Sequence, residues 1–305
     1  MQVPDELREC VVFLHSKDGD KYIARGTAFF IGIAAASDPD VFHIQLVTSK
    51  HVIDNIGSLP KDQKVYIRVN LVDGGFDWID SDVRQWVPHP DPTQCVDVAV
   101  LPWAPPQSVI RYKFIPSTLL VTDAILKSES IGVGDEIFTT GLFVNRLGEK
   151  RNIPIVRTGN IAAMPEEPIK TPIGSMEAYL SESRSVGGLS GSPVFVSLGP
   201  IRISANGGTS IGSRRFQLLG LMQGHWDAKL SSEDSPYDFT KPEIVNMGIA
   251  IVIPSQKILE TLNHPLLVAF RDAYAAMTDE QKDAVMKVMT QAKKTPIIAP
   301  LMPTE

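Results

Sequence analysis

Short β-rich apolar runs, separated by turn residues, recur through most of this chain and leave few folds open to it. Cys10-Val11-Val12-Phe13-Leu14 is the first run, and Ser16 to Lys21 reads as a turn. Ala28-Phe29-Phe30-Ile31-Gly32 and Ile44-Gln45-Leu46-Val47-Thr48 follow. Val65 to Val72 alternates as a strand before the turn Asp73-Gly74-Gly75, and Val83 to Val87 leads into the loop Pro88-His89-Pro90-Asp91-Pro92. His89, bound by prolines, reads as a surface residue. Asp97-Val98-Ala99-Val100-Leu101 places an acid at the mouth of a strand of the fully buried type. A proline-bearing stretch from Pro102 to Pro116 looks like an irregular crossing between two halves. A second set then runs through Gly134–Gly141, Ile155–Ala162, Pro193–Val196, Phe216–Gln223 and Met247–Ile253, with a Gly/Ser-rich loop from Gly199 to Ser213. Nothing repeats as a βαβ unit. The pattern predicts a mainly β chain with an antiparallel barrel or sandwich in each half.

The C-terminus changes character. Ser255 to Leu262 has helical spacing behind Pro254, with Ile258, Leu259 and Leu262 on one face. Pro265 to Met277 suits another helix. Thr278-Asp279-Glu280-Gln281 is a capping-box signature, and Val285, Met286, Val288 and Met289 form a stripe behind it. The stripe suits packing on the barrels or on a second subunit better than binding a cofactor. The proline-rich tail from Lys293 reads as loose.

Composition narrows the classes of function. The formal net charge of −6 gives no basic surface for nucleic acid or an acidic membrane. No stretch approaches the ~20 apolar residues of a membrane span. The acidic start Met1-Gln2-Val3-Pro4-Asp5-Glu6 lacks the basic and apolar regions of a secretory signal. Two cysteines, Cys10 and Cys95, are too few for a disulfide framework or a zinc site. Both are expected as reduced, partly buried thiols in a cytoplasmic protein.

Chemistry concentrates in Gly187-Gly188-Leu189-Ser190-Gly191-Ser192-Pro193-Val194-Phe195. Glycines let a backbone approach a ligand closely and aim its N–H groups at it. Alone, the stretch is equally a Gly-rich turn carrying an ordinary serine. His51, at the end of the Ile44–Thr48 strand, and Asp97 are likewise unremarkable singly. Together the order His51, Asp97, Ser190, each at the edge of a β element, matches a nucleophilic triad recognised by roles rather than position. A serine hydroxyl needs an adjacent base, an imidazole can take and return its proton, and a buried carboxylate fixes the tautomer. The N–H groups of Gly188 and Ser190 would meet the developing oxyanion, where losing one donor typically costs ~10²–10³ in rate.

On these residues the chain resembles the trypsin-like (chymotrypsin-fold) serine peptidases, and among them the bacterial HtrA/Deg-like branch. Six segments carry the resemblance between Gly26 and Leu262. Gly26-Thr27-Ala28-Phe29 is similar to the opening strand G-S/T-G-F, with alanine for the second glycine. Val47-Thr48-Ser49-Lys50-His51-Val52 is similar to V-T-N-A-H-V, and Asp97-Val98-Ala99-Val100-Leu101 to D-L/V-A-V/L-L. Gly134-Asp135 through Thr158-Gly159-Asn160-Ile161 resembles a hairpin of that family. Gly188-Leu189-Ser190-Gly191-Ser192-Pro193 corresponds to G-N/D-S-G-G-P, and Gly248 to Ser255 to the closing strand and helix entry.

The resemblance implies two six-stranded antiparallel β-barrels with C-terminal helices and the site between them. It places an N-terminal barrel over about 8–104, a C-terminal barrel over about 117–254 and a closing helix at 255–263. Residues 1–265 would be the peptidase domain and 266–305 a helical extension with no room for a PDZ module. It implies a serine endopeptidase with catalytic His51, Asp97 and Ser190, oxyanion donors Gly188 and Ser190, and no metal or cofactor. Gln223-Gly224-His225 would pair with substrate backbone and wall the primary pocket, although His225 could instead pack against Trp226. Arg184, six residues before Ser190, would favour acidic side chains if it reaches the pocket base. Leu189 stands where the animal digestive enzymes have an aspartate that pairs with a freed N-terminus, so activation of that kind is not expected. Ser192 replaces a glycine. The alternative is a silent or partner-activated binding module on the same fold. The loops Leu198–Arg215 and Lys229–Lys241 and the C-terminal helices would receive a regulatory partner or a second copy.

Overall fold

The computed structural model describes residues 2–36, 38–60, 62–183, 187–203, 208–230, 243–278, 280–282 and 284. The N-terminal half contains α1 (Asp5–Arg8), β1 (Val11–Asp18), β2 (Lys21–Ala35), β3 (Asp38–Thr48), α2 (Lys50–Gly57), β4 (Lys64–Asn70), β5 (Phe76–Asp82), β6 (Val87–Pro88), β7 (Ala99–Leu101) and β8 (Ile115–Pro116). The C-terminal half contains α3 (Asp123–Ser128), β9 (Glu136–Gly141), β10 (Ile155–Ala163), β11 (Ile169–Thr171), β12 (Gly174–Met176), β13 (Tyr179–Glu182), β14 (Pro193–Leu198), β15 (Ile201–Ile203), β16 (Thr209–Ile211), β17 (Arg215–Leu230) and β18 (Glu243–Pro254). Helices α4 (Ser255–Leu262) and α5 (Pro265–Ala275) follow.

In the first half the sheet runs β5-β4-β1-β2-β3-β7-β6, with β8 alongside β2. Its two outermost strands, β5 and β6, are joined through the single 3-10 turn Val83–Gln85, so the connection draws the sheet's edges back toward each other. In the second half β10-β13-β18-β17-β14-β9 close into a barrel, antiparallel throughout. The architecture is mainly β, with one closed six-stranded barrel, a second sheet and C-terminal helices. It agrees with the chymotrypsin-like fold that the resemblance implies.

The core explains why several strands are continuously apolar rather than alternating. One cluster fills the first half (Leu14, Phe30, Leu46, Ile67), a second fills the barrel (Val194, Val196, Val252, Tyr179), and a third lies in the seam. Neighbouring residues of one strand serve different clusters. Phe30 points into the first half while Phe29 points into the seam, and on β14 Val194 and Val196 point into the barrel while Phe195 joins the seam. A strand buried on both faces must be apolar at every position. The C-terminal helices close the seam with Ile258, Leu262 and Leu267. Thr278 and Gln281 exchange the reciprocal bonds of the expected capping box, Thr278 N to Gln281 Oε1 at 2.9 Å and Gln281 N to Thr278 Oγ1 at 3.3 Å. The apolar stripe from Val285 lies outside the described residues.

The stretch leading into the Pro-rich loop forms the 3-10 turn Val83–Gln85 before the two-residue β6. Two local readings need correction. The Gly199–Ser213 loop contains a short hairpin, β15 with β16. His89 is not a surface residue: it is buried, and its Nε2 lies 3.0 Å from Glu260 Oε2 on α4. No residue spacing in the Pro-rich loop signals a partner 171 positions away. Both cysteines are free, Cys10 fully buried and Cys95 partly so. Among the described residues no helix is long and apolar enough to cross a membrane.

Candidate active site

His51 is the second residue of α2, so it sits at the start of a helix rather than at the end of the preceding strand β3. Val52, Ile53 and Ile56 bury one face of this helix in the first half. The first N–H groups of any helix lack partners inside it. Ser49, at the N-cap position, makes no side-chain cap bond and instead donates its Oγ to Met222 O at 3.2 Å. Asp97 supplies the cap from the strand β7 side. Its Oδ1 accepts the His51 backbone N–H at 2.7 Å, and its Oδ2 lies 2.6 Å from His51 Nδ1. The Asp97 carboxylate is almost wholly buried while the imidazole is 20% exposed. An ionised carboxylate only accepts, so Nδ1 is the nitrogen that carries the proton toward Asp97, and in the neutral ring Nε2 is left as the acceptor.

The serine turn is built by close backbone approach. Gly188 and Gly191 have φ of +98° and +81°. A Cβ on Gly191 would lie 2.2 Å from Thr27 O and 2.3 Å from Thr48 Oγ1, so no other residue fits there. The same point is 3.0 Å from Ser49 N, which presses the turn against the entry to α2. Gly191 N–H donates to Met222 O at 2.7 Å, Met222 N–H to Ser192 O at 2.8 Å, and Ser192 N–H to Leu189 O at 2.9 Å. Leu189 is buried in the barrel interior. The N–H groups of Gly188 and Ser190 have no hydrogen-bond partner among the described residues.

The Ser190 hydroxyl donates to Gln223 O at 3.0 Å and makes no hydrogen bond to His51 among the described residues. Gln223 occupies a break in register of β17 between Met222 and Gly224, which turns its carbonyl toward the serine. A Cβ on Gly224 would meet nothing within 4 Å, so the strand is open there. His225 pairs with Ala250 across β17–β18, and Trp226 beside it is 40% exposed. Arg184 lies outside the described residues. His51, Asp97, Gly188, Ser190 and Gln223 are thus brought to one seam, with Gly224 and His225 continuing the strand that borders it.

A residue given no role by sequence also belongs to this site. Thr27 on β2 is fully buried and donates its Oγ1 to Gly188 O at 2.9 Å. A hydroxyl residue between a glycine and the apolar run Ala28-Phe29-Phe30-Ile31 was the available signal. Cys95, two residues before Asp97, is held as a thiol because burial and then the Asp97 charge push it up. Among the described residues no group of three or more His, Cys, Asp or Glu converges as on a metal ion.

Fold and site together define a mainly β molecule of two halves with a His–Asp pair and a glycine-bound serine at the seam. Among solved structures, the chain is similar to the MamO protease domain from Magnetospirillum magneticum in its apo form. The two share 14% identity and a TM-score of 0.49, over 83% of this chain and 96% of that one. No family model and no curated protein matches the sequence.

Proposed function

We propose that the chain is a trypsin-like serine endopeptidase. The observation that carries this reading is the doubly bonded His51–Asp97 pair, together with a serine turn whose Gly188 and Ser190 N–H groups have no partner among the described residues. Rotation about the Ser190 Cα–Cβ bond would move its hydroxyl from Gln223 O to His51 Nε2. His51 then takes the proton as Oγ attacks the substrate carbonyl carbon, and the Gly188 and Ser190 N–H groups receive the oxyanion. The imidazolium, stabilised by Asp97, returns the proton to the departing amine. A water repeats the cycle on the acyl-enzyme. Gln223, Gly224 and His225 would pair with the substrate backbone, and Arg184 would favour acidic side chains. The mechanism calls on no metal or cofactor.

The Ser190–Gln223 bond favours a second reading, a peptidase that rests with its nucleophile turned away until a partner binds. A fluorophosphonate probe separates the two. Labelling of the isolated wild type, lost in Ser190→Ala, is the expected outcome. Labelling that needs a cellular partner supports the second reading, and no Ser190-dependent labelling under any condition removes both.

A further inference from the structure

The nucleophile turn contains no charge that could fix it. Position 189 is a buried leucine, and three of the surrounding residues are glycines, whose backbones have the most conformations to lose. Bonds to Met222 and Leu189 hold the turn's Gly191–Ser192 end from within its own half, and the carbonyls of Gly188 and Ser190 are held from the opposite half. Thr27 donates its hydroxyl to Gly188 O at 2.9 Å and its backbone N–H to Ser190 O at 2.9 Å. The same hydroxyl accepts the Leu142 N–H at 2.8 Å, and the Thr27 carbonyl accepts Thr48 Oγ1–H at 2.7 Å. Every polar group of Thr27 is therefore used.

The two carbonyls it grips belong to the peptide planes 188–189 and 190–191. The plane between them carries the Ser190 N–H, and the plane before them carries the Gly188 N–H. Turning the 188–189 plane over would break its bond to Thr27 and leave the buried Thr27 hydroxyl without its acceptor, which is costly. Leu142 joins the same unit, because its side chain lies 3.0 Å from where a Gly188 Cβ would be. Threonine suits the task, since a β-branched side chain in a strand is stiff about χ1.

We infer that Thr27 is the positioning residue of the oxyanion turn, holding the Gly188 and Ser190 N–H groups toward the cleft from the other half of the molecule. This rests on the peptidase reading above and adds to it the element that keeps the turn formed without an ion pair. Thr27→Val keeps the shape and removes the hydroxyl, whereas Thr27→Ser keeps the hydroxyl.

The test measures peptide turnover and fluorophosphonate acylation together with deuterium exchange of the segment 187–192. In Thr27→Val, kcat and the acylation rate should fall about 10²-fold, the scale of a misplaced catalytic group, with KM nearly unchanged. Exchange of the segment should accelerate, and Thr27→Ser should recover most of both. Equal losses in the Val and Ser variants would show that packing rather than the hydroxyl matters, and would overturn the inference. So would wild-type acylation in Thr27→Val. If the wild type is never labelled, the peptidase reading fails, and exchange decides the hold on the turn by itself. Acceleration in Thr27→Val then supports it, and wild-type exchange overturns it.

Discussion

Asp97 does two jobs with two oxygens, and substitution can separate them. Oδ1 caps α2 through the His51 N–H, while Oδ2 holds the imidazole proton. In Asp97→Asn the side-chain carbonyl can still accept the His51 N–H, but the amide would donate toward Nδ1 and favour the wrong tautomer. Turnover should then fall by about 10⁴, the effect the same substitution has in the Ser-His-Asp triad of serine proteases, while the melting temperature changes little. Asp97→Ala removes the cap as well and should cost about a further 1 kcal/mol of stability. Thermal melts beside rate measurements on both variants check this, and equal stability losses would contradict a capping role. Leu189 shows the same division of labour. Its side chain is fully committed to the barrel core, so the turn's chemistry is carried by its main chain.

At the level of elements, β9 and β14 meet at a place set by two small residues. A Cβ on Gly141 at the end of β9 would lie 2.0 Å from Ser192 Oγ at the entrance to β14, and 3.0 Å from Thr27 Oγ1. Gly141→Ala should therefore destabilise the protein by about 1–3 kcal/mol, the usual cost of overpacking a core. Adding Ser192→Gly removes the nearer obstruction and should restore more than half of that loss in urea unfolding. Strictly additive effects of the two changes would refute the contact. This junction also shows how far the elements can be read from sequence. The strands are legible because each apolar run ends in turn residues, and α4 falls on the span its spacing and Pro254 indicate. His51, Asp97 and Ser190 stood out in the sequence only through their order and the motifs around them, and the structure brings His51 and Asp97 into contact. The acceptor of the Ser190 proton, the hold of Thr27 on Gly188 and the burial of His89 were not legible. Each depends on a main-chain carbonyl or a carboxylate far away in sequence, and a backbone carbonyl is the same at every position.

Over the whole molecule the two halves are tied by more than apolar packing. Arg68 on β4 donates to Leu147 O at 3.2 Å and Gly148 O at 2.7 Å, its guanidinium lying 3.8 Å over the Phe76 ring. Asn152 completes the strap, bonding Asn70 Oδ1 and Arg68 O at 2.7 Å each. Beneath it His15 is fully buried, edge-on to Trp78, with Nδ1 3.4 Å from Phe13 O. Burial is the main cause that lowers the His15 pKa to about 4; the Phe13 carbonyl opposes it and the Arg68 charge adds to it. A base whose folded pKa lies below its ordinary 6.5 binds fewer protons folded than unfolded between those values. Its contribution is therefore intact above pH 6.5 and is lost as the pH falls toward 4. The ceiling is about 3 kcal/mol, from 1.36 kcal/mol per unit. Urea unfolding at pH 7, 5.5 and 4.5 should show stability falling through this window, and His15→Phe, which keeps a ring against Trp78, should flatten the fall. The same slope in His15→Phe would shift responsibility to the carboxylates and to His43 and His264, which burial also makes harder to protonate. A flattened slope would identify this buried imidazole, beside the strap that joins the halves, as a principal acid-sensitive point of the fold.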